Sequence, residues 1–264
     1  MADNKDTDGP TEEKVIIDIT ISAPIAEVWR AVRDPGEIAN WFGWDADTLA
    51  DEITWIFADH VAVDEVEHVL NFESFGGLED RFELSKTENG TRLRVVRSGP
   101  AGHDWMGIYE DVSQGWMSFL QQLRLWLEKA GRTDRRTLYV SGGATEGGAL
   151  PIAATGLPAR AAAEPGAPAR FYRPDGTAMT GTVWHRTDFQ TGVMVPEWGN
   201  GMIIATDKPV SERYPRGGGS LMITTFGLDQ ATFDALVAEW HDWFAARFPT
   251  DPVFEAPKAA SKPA

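Results

Sequence analysis

Residues 105–127 read "WMGIYEDVSQGWMSFLQQLRLWL" and residues 228–248 read "LDQATFDALVAEWHDWFAARF". Both carry apolar side chains at helical spacing: Trp116, Phe119, Leu120, Leu123, Trp126 and Leu127 in the first, Phe233, Leu236, Val237, Trp240, Trp243 and Phe244 in the second. Each member of the second set follows its counterpart by 117 residues. Another pair of segments repeats in the same order. "EPGAPARFYRPD" (164–175) aligns without a gap on "DPGEIANWFGWD" (34–45), 130 residues earlier. One apolar stripe is generic, but two aligned segments in the same order point to a duplicated fold. A chain of 264 residues accommodates two domains of ordinary size.

The first half opens with "KVIIDITISAP", where Ile17, Ile19 and Ile21 alternate with Asp18 and Thr20 as a half-buried strand does. "PIAEVWRAV" follows as a helix, with Pro24 in its first turn and Val28, Trp29 and Val32 on one side. "DPGEIANWFG" breaks it and starts a short second helix ending at Trp41 and Phe42. Strands are predicted around Ile53–Phe57, Val63–Glu73, Asp80–Ser85 and Arg92–Ser98, with "TENG" as the hairpin turn between the last two. A long helix from about Asp111 to Ala130, stopped by Gly131, closes the half. The second half repeats this order more loosely: "RTLYVSG" as a strand, "LPIAATG" in the place of "APIAEVW", then strands near Thr182–Phe189, Gly192–Pro196, Met202–Thr206 and Ser220–Phe226. The predicted domains span 14–131 and 136–249, flanked by an acidic disordered tail (1–13) and a loose tail (250–264).

Charge and composition exclude several functions. A net charge of −16 argues against a phosphate-backbone partner, so no nucleic acid is expected. From Asp34 to Asp80 there are 13 Asp and Glu residues and no Lys or Arg. The run lacks the regular oxygen spacing of a calcium loop and reads as a solvated acidic surface. No stretch approaches the roughly 20 apolar residues of a membrane span. The polar N-terminus excludes a secretory signal, and the absence of cysteine excludes disulfides and thiolate metal sites, which fits a cytoplasmic protein.

"ISAPIAEVWRAVRDPGEIANWFG" resembles the opening signature of the heat-shock-protein-90 ATPase activator homologue family, within the START-like (SRPBCC) superfamily. "GTRLRVVRSGP" followed by "YEDVSQGWMSFLQQLRLWLE" resembles its closing signature. The resemblance covers roughly Val15 to Gly131, and the acidic run replaces the family's usual glycine-rich hairpin after "WFG". It implies an α+β class and a tandem helix-grip fold, in which a curved antiparallel sheet wraps a long C-terminal helix and leaves a cavity. In that fold Trp55, Phe57, Leu70, Phe72, Phe82, Leu84, Leu93 and Val95 would face Trp116, Phe119, Leu120 and Leu123 of the helix. Trp41, Trp44, Trp105 and Tyr109 would sit near the mouth.

His68 is expected on a strand face shared with Val66, Leu70 and Phe72, where its imidazole could hold a ligand. The five histidines include no H-x-x-x-H pair, so no metal is expected, and no cofactor motif is present. "RGGGS" (216–220) precedes a strand rather than a helix and reads as a hairpin turn. Glu110 and Asp111 suit the positive end of the long helix. With no catalytic set, the leading expectation is a binding protein for a small hydrophobic, aromatic or lipid-like molecule. A cyclase or hydrolase of polyketide-like substrates using the same cavity, and a chaperone-associated interaction module, are the alternatives. The oligomeric state is not legible.

Overall fold

The computed structural model describes residues 11–74, 77–101, 108–158 and 164–249, the side chains of 108–112 excepted. The chain is α+β and forms two compact units. The residues up to Ile38 together with Ile53–Ser113 make the first, and Ala39–Glu52 together with the residues from Gln114 onward make the second. Among the described residues no helix is long and apolar enough to cross a membrane.

The first unit holds an antiparallel sheet of β1 (Thr11–Ile21), β2 (Val61–Asp64), β3 (Val69–Phe72), β4 (Glu79–Thr87) and β5 (Gly90–Pro100), in the order β1-β5-β4-β3-β2. The opening strand pairs with the last one, Ile19 opposite Leu93. Ile17 and Ile21 are buried as their alternation predicts. β1 begins at Thr11, inside the expected tail. The "TENG" turn joins β4 to β5 with Thr87 opposite Gly90. The outer face of this sheet is charged: Arg81 bonds Glu13 and Glu83, and Arg94 also reaches Glu83. Asp80 and Arg97, directly opposite across β4 and β5, form a buried bidentate pair at 2.7 and 2.8 Å. Arg97 Nη1 also donates to Ser113 Oγ, 3.1 Å away, at the start of the long helix. Helix α1 (Ile25–Ala31) buries Val28 and Ala31, and α2 (Pro35–Ile38) buries Ile38.

Two expected strands take other forms. Ile53–Phe57 is helical: α3 (Leu49–Thr54) runs into a π-helical turn at Trp55–Asp59. The alternation of Trp55 and Phe57 looked strand-like, but Ile53 and Phe57 stand four apart, the spacing of one helical face, and both are buried. Asp51 and Glu52 add favourable charge to the first turn. Val63–Glu73 is a hairpin rather than one strand. Asp64 Oδ1 accepts from the amides of Val66 and Glu67 at 2.9 and 3.0 Å, and this side-chain turn ends β2. His68 closes the turn at φ 56°, in the left-handed region, so it stands on no strand face.

In the second unit the order is β6-β11-β10-β9-β8-β7, and again the opening strand pairs with the last. Its members are β6 (Arg135–Gly143), β7 (Pro168–Tyr172), β8 (Ala178–Arg186), β9 (Gln190–Val195), β10 (Gly201–Lys208) and β11 (Gly218–Phe226). The shared pairing scheme is the duplication in three dimensions. The gapless match of 164–175 to 34–45 does not carry over: β7 occupies the stretch aligned with 38–42, the last residue of α2 and the turn after it, and its Phe171 enters the second core. One face of the sheet packs on α6 (Gln230–Arg247) through Leu236, Trp240 and Phe244. The other receives α4 (Ile108–Glu128): Gln122 Nε2 reaches Met222 Sδ, and Thr224 Oγ1 donates to Gln122 Oε1 at 2.6 Å. β10 and β11 are thus buried on both faces, which accounts for the near-continuous apolar runs "GMIIA" and "GGSLMI". The short α5 (Pro151–Thr155) starts on a proline, and its Ile152 amide is capped by Asp207 Oδ1 at 2.9 Å.

"RGGGS" contributes its last residues to β11 rather than only to a turn. Gly219 has φ 152°, and a Cβ there would stand 1.9 Å from Thr206 O. Gly219→Ala should destabilise the protein by about 2 kcal/mol or more in urea unfolding, because backbone must move. Gly131 to Asp134 lie between α4 and β6, yet α4 from Gln114 packs within the second unit. Proteolytic nicking at "GRTDRR" should therefore give two fragments that co-elute on gel filtration, and separation without denaturant would contradict this packing.

Candidate functional site

The segment "NWFGWD" (40–45) has no regular structure of its own, so its backbone groups need partners from elsewhere. Arg135, the first residue of β6, supplies two of them and also holds the Asn40 side chain. Its Nη2 donates to Phe42 O and its Nη1 to Gly43 O, each at 2.8 Å, while its amide donates to Asn40 Oδ1 at 3.1 Å. Gln122 of α4 donates to Trp41 O at 3.1 Å and accepts from Arg135 Nη1 at 3.4 Å. Thr137 and Asp45 bond reciprocally: the Thr137 amide reaches Asp45 Oδ2 at 3.0 Å, and the Asp45 amide reaches Thr137 Oγ1 at 2.6 Å. Gly43 turns the chain at φ 60°. Burial pushes the Arg135 guanidinium down to about 10, with Asp45 opposing the shift, so it stays charged at neutral pH.

This scaffold presents a run of rings. Trp41 is fully buried and meets Phe42 edge-on at 6.1 Å. Phe42 packs against Phe119 and Trp116 of α4, with centroids at 5.0 and 5.9 Å. Phe119 continues to Trp44 at 6.3 Å, and Trp44 stacks on Tyr139 of β6 at 4.0 Å with planes 12° apart. Trp116, Phe119, Trp44 and Tyr139 are each half-buried, in unbroken contact through Phe42 and one another. Leu120 and Leu123, both fully buried, lie on the same helix. The arrangement offers an apolar, π-rich surface with the Asp45–Thr137 pair one residue beyond Trp44 and two before Tyr139. Such a surface can take an aromatic or aliphatic group by stacking and edge contacts.

The sequence-predicted residues are divided between the two units. Trp41, Trp44, Trp116, Phe119, Leu120 and Leu123 belong to the second unit. Phe57, Leu70, Phe72 and Phe82 form part of the first unit's core, with Phe57–Phe72 and Phe72–Phe82 centroids at 5.5 and 4.9 Å. Trp55, 47% exposed, lies on the surface against His60 at 4.2 Å. His68 meets Trp29 edge-on at 5.1 Å, and Glu65 of the same turn accepts from Trp29 Nε1 at 2.8 Å and pairs with Arg33. Trp105 lies outside the described residues, as do the other residues of 102–107, and Tyr109 is described in backbone only. Sequence reasoning missed Tyr139, Arg135 and Gln122. The signal available was the unusual pairing of an aromatic "WFGW" with a basic "RTDRR" start to the second half.

No protein-family model matches the chain, and no curated protein matches it. Solved structures do. DynU16, a protein of the dynemicin biosynthetic locus, is 20% identical over 89% of this chain and 96% of its own, with a TM-score of 0.32. The di-domain ARO/CYC BexL of the BE-7585A biosynthetic pathway is 14% identical over 90% of this chain and 93% of its own, with a TM-score of 0.35. An AHSA1-like protein from Aeromonas hydrophila is 18% identical over 46% of this chain and 94% of its own, with a TM-score of 0.31. Two of these matches span about nine-tenths of this chain, and the third spans less than half of it.

Arg135→Met should cost about 2–4 kcal/mol, because it removes the guanidinium hydrogen bonds to the Phe42 and Gly43 carbonyls, and Arg135→Lys should cost less. Urea unfolding of the two variants measures the difference.

Proposed function

We propose that the chain binds a small hydrophobic molecule, aromatic or lipid-like, on the Trp44–Tyr139–Phe119–Trp116 surface of the second unit. The observation that carries this reading is four mutually connected aromatic rings left half-buried on a backbone fixed by a buried arginine. Trp41 and Trp240, by contrast, are fully buried. A rigid turn also lowers the ordering cost of binding. Of the sequence-derived ligand residues, Trp44, Trp116 and Phe119 make the surface, and Trp41, Leu120 and Leu123 back it. Phe57, Leu70, Phe72 and Phe82 act as core. The repeat units 14–131 and 136–249 are kept as the proposed duplication limits, and the lack of cysteine supports a reducing, cytoplasmic setting.

The test uses the full chain and Nile red, a neutral apolar dye. Trp44→Ala and Phe119→Ala should each weaken dye binding by about five- to tenfold, equivalent to about 1–1.4 kcal/mol. Trp55→Ala, on the exposed surface of the other unit, should leave it unchanged. Equal affinity in the first two variants, or a loss confined to the third, would sink the proposal.

A further inference from the structure

His185 takes no part in the aromatic surface, yet it is among the most constrained side chains in the second unit. β8 and β9 pair in register at Val183–Val193, then slip by one residue so that His185 stands opposite Gly192. Trp184 is the extra residue of this bulge, and a bulge re-aims the side chains beside it. Trp184 and His185, adjacent in sequence, both reach partners tied to α4. Trp184 Nε1 donates to Gln121 O at 3.2 Å. His185 Nε2 lies 3.2 Å from Gln190 Oε1, and Gln190 Nε2 donates to Gln114 O and to Ser118 Oγ, both at 2.8 Å. Thr187 Oγ1, between the two strands, donates to Gln114 Oε1 at 2.9 Å.

These bonds assign the histidine's proton. The Gln190 amide nitrogen is spent on two α4 oxygens, so its Oε1 faces the ring and accepts, and Nε2 carries the hydrogen. Nδ1 then bears the lone pair. Among the described residues nothing donates to it, although the ring is buried. What lies against it is Gly192: a Cβ there would stand 2.3 Å from the ring's Cε1 and 2.4 Å from Nδ1. The glycine makes room for the ring and gives Nδ1 no acceptor. A second proton, on Nδ1, would be a buried charge without a partner. The charged group bearing on the ring from α4 is Arg124, which lies over Trp184 at 4.5 Å and repels an imidazolium. Arg186, next along β8, is paired with Glu164, and Gln190 on β9 is neutral.

We propose that His185 is an acid-released latch: its neutral ring, through Gln190, holds the 114–118 stretch of α4 on β8 and β9, and a proton taken from solvent at Nδ1 expels the ring and frees that stretch. Expulsion removes the partner that orients Gln190, so the bonds to Gln114 and Ser118 go with it. The direction of the titration agrees. Burial pushes His185 down from its ordinary 6.5 to about 4, with Arg124 adding to the shift and Gln190 opposing it. The open form, with an ordinary imidazole, binds the proton better than the closed form. The latch is therefore fully closed above pH 6.5 and weakens as pH falls from 6.5 toward 4.

The test is hydrogen exchange by mass spectrometry on the full chain between pH 7 and 4, corrected for intrinsic exchange, with α6 as the internal control. α6 packs through Leu236, Trp240 and Phe244 and has no share in the latch. Opening of 114–118 should rise about tenfold per pH unit between 6.5 and about 4, ahead of α6. In His185→Asn, which cannot titrate, that slope should vanish. Gly192→Ala, whose Cβ displaces the ring, should open the same stretch already at pH 7. Nitrogen NMR of histidine-labelled protein at pH 7 should show His185 as the neutral Nε2–H tautomer, a readout that stands even if both variants fail to fold. A Nδ1–H tautomer, or a 114–118 slope unchanged in His185→Asn, would overturn the proposal.

Discussion

A charged guanidinium taken out of water is the constraint around which the second unit is arranged. Arg135 is costly to bury, and its placement is tolerable because the "NWFGWD" turn brings the Phe42 and Gly43 carbonyls, which accept from it. The two needs cancel only if β6, α4 and the turn meet in one geometry. Gln122 enforces this from α4: its amide accepts from Arg135 and Thr224 and donates to Trp41 O, so a single fully buried side chain touches the turn, β6 and β11. Buried polar groups of this kind contribute little net stability when satisfied and cost much when broken. They specify where the aromatic rings stand, whereas apolar packing alone would leave several near-equivalent arrangements.

The same logic explains α4, the least ordinary helix of the chain. Its apolar residues were legible from spacing; the opposite stripe, Gln114, Ser118, Gln121 and Gln122, carries no assignment from sequence, and its polarity alone would suit a solvated face. Instead Ser118, Gln121 and Gln122 are buried against the second sheet. Glutamine and serine fit both readings, since they are uncharged, soluble when exposed and able to donate and accept when buried. No local property of the segment distinguishes the two. The distinction lies in Thr187, Gln190, Thr224 and Arg135, 13 to 102 residues further along the chain.

Legibility follows how local the deciding interaction is. The alternating isoleucines of β1, the "TENG" hairpin and the stripe of α6 depend on near neighbours, and all were readable. The stretch 53–57 was misread because two periodicities coexist there, Trp55/Phe57 for a strand and Ile53/Phe57 for a helix. His68 was misplaced because one carboxylate, Asp64, captures two amides and ends the strand early. Of the candidate site, the tryptophans of "WFGW" and the rings of α4 were found by aromatic content. Their grouping was not, because it is set by hydrogen bonds from β6 to a turn over 90 residues earlier.

The duplication is visible in the helices and nearly invisible in the strands, and burial gives the reason. The first sheet keeps one charged face, with Arg81, Glu83, Arg92 and Arg94 standing among Glu13 and Asp18. Its strands therefore alternate. The central strands of the second sheet are covered on both sides, by α6 and by α4, and a charge at Ile204 or Met222 would be stranded in the core. Two sheets with the same pairing scheme thus require different strand compositions. The long helices each bury an apolar stripe, so that part of the pattern survives in both halves. Similarity between the copies then measures where their burial is shared, and its loss in β10 and β11 marks the surface on which the first half's helix came to rest.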